Sequence, residues 1–220
     1  MTGTEAEARR AIELNPSLPD GYNMLSLVAW IRGEIDEGTR LVETCYRLDP
    51  IRPLYVTYVG MVYFYFGKGE RSTAALGETR QLAPAGTYRL MTEHALLKGD
   101  YDKAKELLST VEKLQPTHPW VTWMKGFIAA QTGDREAALR VVGQLAESRG
   151  DVDRLNSAGY AYYGLGDMDS YFSYMNQALE SRVTNPAYPM YCPLFAGARA
   201  DPRCQKLIEK MRQMHWPERK

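Results

Sequence analysis

Apolar residues along the chain recur at helical spacing, and the pattern is punctuated by glycine and proline at a fixed interval. Between Leu48-Asp49-Pro50 and Leu82-Ala83-Pro84, Val56, Val59, Gly60 and Tyr63 fall on one side of a first helix. Gly67 breaks that helix, and Leu76 and Leu82 fall on a second one that Pro84 ends. Pro16, Pro50 and Pro84 follow one another at 34-residue intervals, so the unit is a helix, a turn and a helix, repeated.

The same unit is read along most of the chain. A lone helix from Glu5 to Leu14, with Ala8 and Ala11 on its small-residue face, forms a half repeat over 4–18. Full repeats follow at 19–52, 53–84, 85–118, 119–151 and 152–182. Glycines at the turns (Gly33, Gly99, Gly133, Gly166) supply a left-handed conformation, and Asp100, Asp134 and Asp167 are placed to cap the next helix rather than to act as catalytic acids. Gly126 and Ala138 are expected to face each other where two helices approach, and Cys45 is read as a small packing residue rather than a reactive thiol.

These residues resemble the tetratricopeptide repeat family. Its pattern has an aromatic at the fourth position, Leu-Gly at seven and eight, Tyr at eleven, Gly-Asp at the turn and Pro near the end. Leu155 to Leu179, with Ala158-Gly159, Tyr162 and Gly166-Asp167, and Gly99-Asp100-Tyr101 to Pro116 carry it best. The resemblance implies an all-α fold: a right-handed α-solenoid of helix-turn-helix repeats over 1–182, followed by an extended strap and a C-terminal capping helix over 183–220.

Beyond Arg182 the register is lost. Val183 to Phe195 carries three prolines among large apolar residues and is expected to be extended. Asp201-Pro202 then opens a last helix with Leu207, Ile208 and Met211 as its apolar stripe. This ending resembles the tails of microbial regulatory proteins in which such repeats follow a winged-helix, cyclase or kinase domain. Together with the half repeat at the start, that resemblance implies a piece of a longer protein.

Composition narrows the function. The chain has 27 Lys plus Arg against 27 Asp plus Glu, so no overall field recruits nucleic acid or anionic lipid. No apolar run is long enough for a membrane helix, and the polar, acidic start is unlike a secretory signal; a cytoplasmic location is expected. Cys45, Cys192 and Cys204 do not suggest a disulfide framework, and His94, His118 and His215 form no metal-ligand spacing with them. Gly67-Lys68-Gly69-Glu70 is a repeat turn, not a phosphate-binding loop. No enzyme, cofactor or metal is expected.

In stacked repeats of this family the first helices line the concave wall, which is the natural binding surface. The resemblance places Asn23, Leu27, Trp30, Met61, Phe64, Tyr65, Arg89, Trp120, Trp123, Phe127, Asn156, Tyr160 and Tyr163 there. The lysines and asparagines of the family's carboxylate clamp are largely replaced by apolar residues, and Arg89 is opposed by Glu93. An aromatic wall suits an apolar or proline-rich protein segment, and the chain's own Tyr188, Met190, Tyr191, Leu194 and Phe195 are of that kind. A protein-interaction scaffold is therefore expected. The alternatives are that the wall is only core, that the chain is a regulatory or sensor domain of a transcription regulator, kinase or cyclase, or that it self-associates as a homodimer.

Overall fold

The structure is a computed structural model that describes residues 2–66, 77, 81–147, 152–181 and 188–213. The described helices are α1 (Thr2–Leu14), α2 (Pro19–Arg32), α3 (Ile35–Leu48), α4 (Pro53–Tyr65), α5 (Pro84–Leu97), α6 (Tyr101–Leu114), α7 (Pro119–Gln131), α8 (Arg135–Ala146), α9 (Val152–Gly164) and α10 (Met168–Glu180). Then come α11 (Tyr188–Tyr191), a 3-10 turn (Pro193–Phe195), α12 (Ala196–Ala200) and α13 (Pro202–Gln213). There is no strand among the described residues. The chain divides into two compact units, one of residues up to Thr87 with those from Ile208 onward, the other Tyr88–Leu207.

Helix boundaries follow from local chemistry. Pro19, Pro53 and Pro119 each open a first helix, where a missing N–H costs nothing. Gly33, Gly99, Gly133 and Gly166 all have positive φ, between 71° and 87°, so a side chain at these turns would strain the backbone. Asp100, Asp134 and Asp167 accept from the N–H groups of Lys103, Ala137 and Ser170 and cap the helix that follows. Gly67, Leu76 and most of the second helix expected for 53–84 lie outside the described residues, as do 183–187 of the expected strap and His215.

In the first unit α2 and α3 pair as a hairpin, α1 packs on α2, and α4 packs on α3. Tyr55 on α4 has no exposed surface; its hydroxyl donates to Asp20 on α2 at 2.8 Å, and Arg52 donates to both. Cys45 is 1% exposed, with its thiol 3.3 Å from the Pro19 carbonyl, and burial pushes that thiol up to about 12. It is a packing residue, as its position in the repeat suggests.

In the second unit α7 pairs with α8 and α9 with α10, while first helices α7 and α9 also pack on each other. A Cβ at Gly164 would lie 3.1 Å from the Phe127 backbone, so these two helices meet at backbone distance. Gln131 completes the contact by donating to the Gly164 carbonyl at 3.0 Å.

Pro84 opens α5, where a missing N–H costs nothing. Gly126 is crowded by Val141, 2.8 Å from a Cβ placed there, with Ala161 next at 3.6 Å. Residues 188–200 are not extended but fold as three short helical segments. Pro189 and Pro193 each stand in a first turn, where proline is compatible with helix, so they start turns there.

Candidate functional site

The aromatic wall of the second unit is built by α5, α7 and α9. Trp123 on α7 is 1% exposed and meets Tyr160 of α9 edge-on at 5.3 Å, Trp120 at 5.8 Å and Phe127 at 6.1 Å. Phe127 stacks with Tyr163 at 6.4 Å. The guanidinium of Arg89 on α5 lies over the Trp120 ring, 4.8 Å from its centre. Edge-to-face geometry of this kind adds to simple burial, because the positive edge of one ring meets the negative face of the next.

That wall is occupied by the chain's own tail. Phe195 is 0% exposed, with its ring 4.9 Å from Tyr163, 5.0 Å from Tyr160 and 6.2 Å from both Trp123 and Tyr171. Tyr188 packs on Tyr160 at 5.4 Å, and its hydroxyl donates to the carboxylate of Glu93 at 2.8 Å. Glu93 is itself 2% exposed, and the Cys192 thiol approaches its other oxygen at 3.9 Å. Arg199 donates to the carbonyls of Pro189 and Cys192, at 3.1 and 2.7 Å, and so ties the short segments together.

The structure thus brings Trp120, Trp123, Phe127, Tyr160 and Tyr163 into one cluster with Asn156 buried on α9. Arg89 lies on Trp120, and Glu93, read from sequence as opposing Arg89, engages the tail. In the first unit Asn23 and Leu27 on α2, and Met61, Phe64 and Tyr65 on α4, remain partly exposed. Trp30 is buried instead. It is 5% exposed, meets Tyr58 edge-on at 6.4 Å, and faces Gly38 of α3. The signal for that was present, since glycine in a helix interior opposite a tryptophan leaves room for the ring. Arg199 had no signal in the sequence, because its acceptors are main-chain carbonyls.

The amide oxygens of Asn23 and Asn156 and the indole N–H of Trp120 are buried without a hydrogen-bond partner among the described residues. Among those residues no cluster of His, Cys, Asp or Glu could hold a metal ion, and no helix is long and apolar enough to cross a membrane.

Residues 95–158 match the tetratricopeptide repeat family, and solved structures extend the likeness along the chain. The fold is a tetratricopeptide-repeat solenoid. The APC/C hetero-tetramer Cut9-Hcn1 is similar with a TM-score of 0.61 at 14% identity, over 96% of this chain and 46% of that one. A thermophilic TPR protein of Thermus thermophilus gives 0.57 at 18% identity, over 82% and 98%. Yeast Tom70 gives 0.55 at 14% identity, over 93% and 46%. This chain therefore spans about half the length of the first and third of these. A comparison with curated protein sequences returns no match. The likeness to these structures is one of fold.

Proposed function

We propose that the protein is an interaction scaffold that takes an apolar or proline-rich segment of a partner on the first-helix face of its N-terminal repeats. Asn23, Leu27, Met61, Phe64 and Tyr65 form that face, without a carboxylate clamp. The observation that supports the reading is the partial exposure of one set of apolar side chains on two first helices, Leu27 on α2 and Met61 on α4, beside the Phe64 and Tyr65 rings, which lie 5.6 Å apart. Aromatic faces offer a large contact area for little lost rotamer freedom, and a buried amide oxygen such as that of Asn23 gains from a donor on a bound main chain.

A displayed library of proline-containing apolar peptides tests this directly. Peptides selected on the intact chain should lose at least about tenfold in affinity when Met61 and Phe64 are both replaced by alanine, with the helical spectrum preserved. Selected peptides that bind the double variant as tightly as the parent would remove this assignment.

A further inference from the structure

The contact between residues 188–200 and the second unit is organised like an interface, with one aromatic anchor and one polar reading point. The anchor is Phe195, fully buried and ringed by Trp123, Tyr160, Tyr163 and Tyr171. The reading point is Glu93, a carboxylate set into an apolar wall, which accepts from the Tyr188 hydroxyl and the Cys192 thiol. Both of those donors come from the tail, 95 and 99 residues further along the chain. The tail is pre-shaped for this contact, since Arg199 holds its turns together and the Tyr188 and Phe195 rings lie 5.7 Å apart.

Two polar groups on the wall's own helices are left unmatched. Trp120 and Asn156 are 4% and 6% exposed, yet the indole N–H of one and the amide oxygen of the other meet no partner among the described residues. A donor and an acceptor left unmatched in a wall this well buried cost stability, and native cores rarely keep them. A peptide group carries the complement of each: a carbonyl for Trp120 and an N–H for Asn156.

We infer that this wall is a recognition site for a segment of another protein with a tyrosine and, seven residues later, a phenylalanine. The phenylalanine enters the Trp123–Tyr160–Tyr163 cage, the tyrosine hydroxyl donates to Glu93, and the segment's main chain satisfies Trp120 and Asn156. The chain's own Tyr188–Ala200 is a copy of that ligand held in cis, and the partner must displace it. A tethered copy acts at an effective concentration on the order of millimolar, so the closed state dominates until a better-matched segment arrives. This site lies in a different unit from the N-terminal face proposed above and does not depend on it.

The test uses a fluorescein-labelled synthetic peptide with the sequence of residues 188–201 and the full chain, read by anisotropy. The parent chain should bind weakly, and the Phe195→Ala chain, whose cage has lost its occupant, at least about tenfold more tightly. A peptide with alanine at its own phenylalanine should not bind the Phe195→Ala chain, and adding Glu93→Ala to that chain should weaken binding of the intact peptide. Tyr188→Phe, which creates no cavity, should raise peptide affinity about fivefold by removing one hydrogen bond from the tail. Met61→Ala and Phe64→Ala should leave all of this unchanged, which separates the two sites.

If neither Phe195→Ala nor Tyr188→Phe binds the peptide better than the parent, the tail is permanent core and the inference fails. It also fails if Phe195→Ala abolishes the cooperative melt while Tyr188→Phe gains nothing. A parent chain that doubles its mass in light scattering, and that the peptide returns to a monomer, would replace the external partner with a second copy of this chain.

Discussion

Cys45 and the capping aspartates owe their behaviour to their immediate surroundings. Burial pushes the Cys45 thiol up to about 12. Iodoacetamide at pH 8 should therefore leave it unmodified in the folded chain and alkylate it in urea, as peptide mass spectrometry can establish. Asp167 behaves in the opposite sense. The Ser170 backbone N–H, then the Ser170 hydroxyl, donate to its carboxylate and hold it below the ordinary aspartate range. A lowered folded value means that the cap's contribution is complete above the unfolded aspartate range and is lost as pH falls through the folded value. Asp167→Ala should cost about 1 kcal/mol at neutral pH, and the deficit should shrink in thermal melts as acid removes the cap from the parent as well. The glycine turn and the aspartate after it were legible in the sequence because both act on their own backbone, within three residues.

Between elements, tolerance depends on what a helix faces. Gly38 in α3 lies against the Trp30 indole, and a Cβ there would collide with the ring. Gly143 in α8 is exposed and has nothing within 4 Å of the same position. Gly38→Ala should therefore destabilise the chain by about 1–3 kcal/mol through overpacking. Gly143→Ala should stabilise it by about 0.5–1 kcal/mol, since only the backbone entropy of a helical glycine is removed. Opposite shifts of the melting midpoint for two identical substitutions would verify the helix pairing seen here. Sequence spacing shows which side of a helix is apolar, but not which neighbour covers it. That is why the family resemblance puts Trp30 on the concave wall when it fills the seam over Gly38.

At the scale of the molecule, the second unit is closed by contacts that span most of its length. Arg199→Ala would leave the Pro189 and Cys192 carbonyls without that donor and loosen the tail's turns while the repeat helices stay intact. Limited proteolysis should then cut within 188–200 faster than in the parent, with circular dichroism nearly unchanged; equal cutting rates would show that Arg199 is not what holds the segment. The sequence by itself determined the helix-turn-helix period, the turn glycines, the aspartate caps and the aromatic character of the first helices, because each is encoded by spacing and backbone preference over a few residues. It also singled out the tail's apolar residues as a segment that could fill such a wall. Only the tertiary structure decided that the tail coils into short helices, that Phe195 is the residue it inserts, and that Glu93 answers Tyr188. The last of these rests on side chains 95 residues apart meeting in three dimensions, and no local propensity or repeat period carries that information.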